Sequence, residues 1–158
     1  MSFNKVALGI MVGGMALAAS VAAQARTEVG HSSNLRALVA QHAAQNGVPF
    51  ALADAVVRVE SNYNPRAANR SGAMGLMQIK AQTARGQGFN GHASELLNPE
   101  TNVRFAMRYL ATAYRMSGGD LCGTVMRYQQ GHGARRMTSA DVSYCNKARG
   151  YMAMASRG

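Results

Sequence analysis

Signals that start and stop helices recur along this chain, and no stretch alternates apolar and polar residues for long enough to form a strand with one dry face. The fold this pattern allows is mostly α. Ser32 or Ser33 caps a first helix, with Leu35, Leu38, Val39 and Ala43 at helical spacing up to the stop at Asn46-Gly47. Pro49 opens a second helix that runs to Ser61, and Tyr63-Asn64-Pro65 ends it. The turn-rich stretch Asn69 to Gly75 leads into a short, partly helical segment from Leu76 to Ala84, and the Gly-punctuated stretch Gly86 to His92 is a loop. Asn98 caps a long helix with Pro99 at its first position and Val103, Ala106, Met107, Leu110 and Ala113 on its buried stripe, until Gly118-Gly119. Asp120 caps a shorter helix to about Gln130. Thr138 or Ser139 opens a last one in which Val142, Cys145, Ala148 and Met152 share a side. Met74, Met77, Met107, Met126 and Met152 fall among these apolar positions and read as core packing.

The second helix carries an anomaly. At about 100° per residue, Ala53, Val56 and Val57 share one stripe and Glu60 falls on it too, while Asp54 and Arg58 pair at i,i+4 on the polar side. Burial disfavours an ionised carboxylate, so an acid placed there keeps its proton near neutral pH, as a general acid must. The same spacing also suits a glutamate that turns its head back to water at a helix end, or one held by an arginine.

The ends and totals limit the context. Lys5 begins a positively charged start, Val6 to Val21 is mostly small and apolar, and Ala23-Gln24-Ala25 offers a cleavage site, so residues 1–25 read as a secretory signal peptide. The run approaches membrane-spanning length, but its Gly and Ser interruptions and the A-x-A ending favour cleavage over an uncleaved anchor. Residues 26–158 have the size of one domain, with no repeat or linker. The chain carries +10, and without Lys5 it has 16 basic against 7 acidic side chains. Its arginines are scattered and no zinc-finger, RRM or basic-zipper pattern occurs, which favours an anionic envelope polymer over nucleic acid as partner. Cys122 and Cys145, in an exported chain, are expected to form one disulfide that ties the last two helices together. One intervening histidine, His132, without C-x-x-C spacing does not make a zinc site, so no metal is expected.

Three segments occur in a diagnostic order: Val59-Glu60-Ser61-Asn62-Tyr63-Asn64-Pro65, then Ser71-Gly72-Ala73-Met74-Gly75-Leu76-Met77-Gln78-Ile79, then Tyr128-Gln129-Gln130-Gly131. Together they resemble the successive motifs of the soluble lytic transglycosylase (SLT) domain, glycoside hydrolase family 23, related in fold to goose-type lysozyme. Asn98-Pro99 with Asn102-Val103 is similar to the family's helix start between the second and third motifs, so the resemblance covers a core of about residues 35–151. It implies a single lysozyme-like helical domain preceded by the signal peptide. It also implies that Glu60 is the catalytic acid beside a sugar-binding cleft and that Ser61 fixes the local geometry. Gly75, Leu76, Met77 and Gln78 would form the strip lining the cleft, and Tyr128 would reach the catalytic carboxyl region. The third motif departs from the usual Tyr-Asn-Ala-Gly, which leaves Gln129 as a candidate contact whose role differs from that of the family's asparagine. Lys80-Ala81 stands where the family commonly has Met-Pro, and Asn69 where a serine is usual.

The expected reaction follows from a shortage. An ordinary glycosidase uses two carboxylates, but Asp54 points away around the helix, and Glu95, Glu100, Asp120 and Asp141 fit caps or loops. Single-carboxylate chemistry is therefore expected: lytic cleavage of the MurNAc-GlcNAc bond of peptidoglycan with a 1,6-anhydro product, by a periplasmic monomer needing no cofactor. A water-using muramidase of the same fold is the nearest alternative, and a glycan-binding accessory without turnover the next. The small size suits local wall opening for an envelope-spanning secretion or conjugation apparatus.

Overall fold

A computed structural model of the chain describes residues 33–155. The expected signal peptide, residues 1–25, and the candidate cap Ser32 lie outside the described residues. Residues 33–46 form helix α1, followed by α2 (Phe50–Ser61), α3 (Ala81–Arg85), α4 (Pro99–Met116), α5 (Leu121–Gln130) and α6 (Ser139–Ala155). A short 3₁₀ helix, Ala93–Leu97, precedes α4. The caps are largely where the sequence places them. Asn98 Oδ1 accepts from the Thr101 N–H at 3.1 Å, and Asp120 Oδ2 from the Gly123 N–H at 2.6 Å. Pro49 sits one position ahead of α2, its carbonyl accepting from the Leu52 and Ala53 N–H groups.

Residues 76–84 are partly helical, through α3, but the sequence reading did not foresee the hairpin before it: β1 (Ala73–Met74) and β2 (Ile79–Lys80) are antiparallel and pair Ala73 with Lys80 and Met74 with Ile79. Strands of two residues are too short for alternation to show, and left-handed backbone at Gly75 (φ +73°) and Gln78 (φ +47°) turns the chain between them. The inner face of α6 also differs. Thr138 and Asp141 cap each other, with the Thr138 N–H donating to Asp141 Oδ2 at 2.7 Å and the Asp141 N–H to Thr138 Oγ1 at 3.3 Å. That anchors Asp141 inward, so Asp141, Tyr144, Cys145 and Ala148 are buried, while Val142 is 47% exposed.

Helix α2 stands between two apolar clusters. Val56 and Val57 join Val39, Leu76, Met77, Leu96, Val103, Met107 and Leu110 in the larger one. On its other side Ala55 meets Val125, Tyr144, Cys145 and Ala148 of α5 and α6. The Cys122–Cys145 disulfide links those two helices across 23 residues, a constraint worth about 2–4 kcal/mol. Asp54 also departs from expectation: it pairs with Arg58 (2.7 Å), but it is buried rather than on a wet face, and it accepts further bonds from Arg36 (3.1 Å) and the Tyr63 hydroxyl (2.7 Å).

Candidate active site

Glu60 lies in the last turn of α2, just before the helix stops at Asn62 in a left-handed conformation (φ 49°). The stripe that carries Val56 and Val57 into the core brings Glu60 to the edge of an open cleft of about 430 Å³. One wall of this cleft is the hairpin and the start of α3, through Ala73, Gln78, Ile79, Lys80 and Thr83. The other is built by Tyr109 of α4 and by Tyr128, Gln129, Gln130 and Gly131 at the end of α5.

The Glu60 carboxyl is mostly withdrawn from water and has one hydrogen-bond partner, the Tyr144 hydroxyl of α6, which donates to Oε1 at 3.0 Å. Burial pushes its pKa up to about 7, and the Tyr144 bond pulls weakly the other way. Tyr144 and Tyr128 are both held well above the usual phenol range, first by burial and then by the neighbouring Glu60 charge. At neutral pH both phenols therefore remain protonated donors beside an acid that is itself partly protonated.

No second carboxylate lines the cleft among the described residues. The others are engaged elsewhere. Asp54 is clasped by Tyr63, Arg58 and Arg36, which together outweigh burial and hold it below the usual range. Glu95 accepts from the His92 N–H (2.7 Å), Glu100 meets His42 (2.9 Å), and Asp120 caps α5. Asp141 is buried, yet hydrogen bonds from Thr138 and Gln130 keep it low. No group of three His, Cys, Asp or Glu residues among those described could hold a metal.

The expected site residues divide into three sets. Gln78 and Tyr128 line the cleft with Glu60, and Gln129 is exposed on its rim. The Gln78 amide is aimed partly at the protein, donating to the Ala67 and Gly75 carbonyls at 3.0 Å each. Ser61 is structural: its hydroxyl donates to the Leu76 carbonyl at 2.7 Å and ties the end of α2 to the hairpin turn. Gly75, Leu76 and Met77 correct the expectation of a lining strip, because the Leu76 and Met77 side chains are fully buried in the core. A Cβ on Gly75 would collide with the Asn102 side chain and the Leu96 carbonyl, so the missing side chain serves packing against α4. Tyr128 faces the same cleft as Glu60, but its hydroxyl donates to the Met77 carbonyl at 2.7 Å. The residue that touches Glu60 is Tyr144, which the sequence reading missed. Its signal was present: Asp141, Tyr144, Cys145 and Ala148 follow i, i+3, i+4, i+7 spacing, with Thr138 and Asp141 as capping partners.

A helical domain with one raised-pKa carboxyl in an open cleft, flanked by a hairpin wall, defines a lysozyme-like class. The sequence profile of the Transglycosylase SLT domain family matches residues 37–148, and the chain belongs to that family. It is 39% identical over 113 residues to an endo-type membrane-bound lytic murein transglycosylase A of Klebsiella pneumoniae, covering 65% of this chain and 49% of that protein. It thus spans about half the length of the curated relatives it matches. Among solved structures, it resembles an inactive mutant of the lytic transglycosylase Slt from Pseudomonas aeruginosa, with a TM-score of 0.69, 21% identity, and coverage of 77% of this chain and 24% of that one. It also resembles a 70-kDa soluble lytic transglycosylase in complex with bulgecin A, with a TM-score of 0.57, 26% identity, and coverage of 72% and 18%.

Proposed function

We propose that this domain is a peptidoglycan lytic transglycosylase in which Glu60 acts first as acid and then as base. The observation that carries this reading is that the cleft holds one carboxyl group, with a pKa near 7, and no partner carboxylate among the described residues. Protonated Glu60 donates its proton to the glycosidic oxygen as the C1–O bond between N-acetylmuramic acid and N-acetylglucosamine breaks. The substrate's own N-acetyl group supports the positive charge that develops at C1. Ionised Glu60, steadied by the Tyr144 hydroxyl, then removes the proton from the muramoyl C6 hydroxyl as O6 closes on C1. A 1,6-anhydro ring results, no water is consumed, and the proton is back on Glu60.

The names of the relatives support this substrate, since they are murein transglycosylases. Mass spectrometry of digested sacculi tests it: anhydromuramoyl ends are expected from the wild-type protein and none from Glu60→Gln. Reducing muramic acid ends would mean a hydrolase. Equal solubilisation by both proteins would count against catalysis by Glu60, and none by either would mean a binding accessory. The setting we infer is the periplasm, reached by way of residues 1–25, where so small a domain suits local wall opening for a secretion or conjugation apparatus. Deletion in a strain without other wall lyases should then block assembly of such an apparatus, and normal assembly would rule the role out.

A further inference from the structure

Among the described residues the cleft is lined by one cation. Lys80, in the hairpin wall, is exposed on a groove whose other lining residues, apart from Glu60, are neutral. Its strand partner across the hairpin is Ala73, and it takes part in none of the salt bridges among the described residues. Burial and the Tyr144 bond account for the raised pKa of Glu60, so Lys80 is not needed to set it. Nor does it serve the fold, since the buried partner of β1 is Ile79. A charged ammonium displayed on a neutral sugar groove has one evident use, which is to meet a negative group on the glycan.

We propose that Lys80 is a specificity-determining residue that recognises a carboxylate on the muramoyl side of the glycan, an inference that rests on the glycan-cleaving function proposed above. N-acetylmuramic acid differs from N-acetylglucosamine by a lactyl ether. That ether ends in a free carboxylate when the strand is bare, and in a peptide stem with its own carboxylates when it is not. Both sources present the same chemistry to an ammonium. An exposed pair of this kind changes affinity about two- to fivefold and weakens with salt.

The test uses the Glu60→Gln protein, so that binding is read without turnover, and adds Lys80→Met, a neutral side chain of similar length, or Lys80→Arg. Calorimetry would compare three glycans of equal length: muramoyl strands with stems, muramoyl strands stripped of stems, and neutral chito-oligosaccharide. Lys80→Met is expected to weaken binding of a muramoyl glycan about two- to fivefold, to leave the chito-oligosaccharide unchanged, and to lose its effect at high salt. Lys80→Arg should restore the affinity. A loss confined to stemmed strands assigns the carboxylate to the peptide, and a loss on stripped strands assigns it to the lactyl group. Equal affinities with and without the ammonium, or an equal loss on the neutral glycan, overturn the inference and leave the proposed catalysis standing. Failure of all three glycans to bind would instead overturn the glycan reading itself, and this inference with it.

Discussion

Asp54 and Glu60 lie on the same helix, one on each side of the same Arg58, and both are largely withdrawn from water, yet their chemistry is opposite. Asp54 is surrounded by Tyr63, Arg58 and Arg36, and stays ionised well into acid. Glu60 has one neutral phenol for company and holds its proton up to about pH 7. Burial acts on both in the same direction; the number of donors supplied to the charged form decides the outcome. One carboxylate serves stability and the other is available for reaction, and the difference lies in the neighbours rather than in the helix.

Several substitutions can break or sharpen this contrast. The largest effect is expected from Glu60→Gln, which should lower wall solubilisation by at least about a thousandfold, measured by turbidity loss of sacculi. The same substitution should stabilise the protein. With a folded pKa of about 7, above the unfolded value, ionised Glu60 costs stability as pH rises through that window, an amount on the order of 3 kcal/mol above it. Urea midpoints of the two proteins should therefore coincide near pH 4 and separate by pH 8. Asp54→Ala is expected to do the reverse, costing about 3 kcal/mol at pH 7 in denaturant unfolding. Because the folded pKa of Asp54 is depressed, its contribution is present above the unfolded value and disappears as pH falls through the folded one. The gap between Asp54→Ala and wild type should accordingly close in strong acid.

Tyr144→Phe comes next, with about a tenfold loss in rate. Removing the bond that lowers the Glu60 pKa should also move the alkaline limb of the pH–rate profile upward, and a limb that stayed in place would remove Tyr144 from the acid's environment. The smallest effect is expected from Ser61→Ala, which loses the 2.7 Å bond to Leu76 and should cost about 1 kcal/mol in thermal unfolding.

The contrast between the two carboxylates was only half legible in the sequence. Glu60 on the Val56–Val57 stripe was readable from periodicity, because a helix of that length fixes directions well. Asp54 was placed on a wet face because Arg36 and Tyr63, which cover it, are distant in sequence from the i,i+4 partner Arg58. The chain order of helices, their caps and the disulfide were also readable. The α6 face was not: Val142 looked like the better core residue, and only the inward turn of Asp141 toward Thr138 and Gln130 shows why Tyr144 faces Glu60 instead. Gly75, Leu76 and Met77 were legible as a motif but not in their placement, since a two-residue strand pair leaves no periodic trace of which side chain turns inward.

Asn102, the fully buried asparagine of α4, accepts from the Met77 N–H (2.9 Å) and donates to the Met74 and Leu96 carbonyls (2.8 Å each). A side-chain amide has few bonds to give, and these three clamp the hairpin, the 3₁₀ helix and the long helix into one rigid jaw. If the groove flexes around a thick polymer, the yielding side is then the opposite rim near Gln129, and the backbone proton of Met77 should exchange with solvent as slowly as those in the middle of α4.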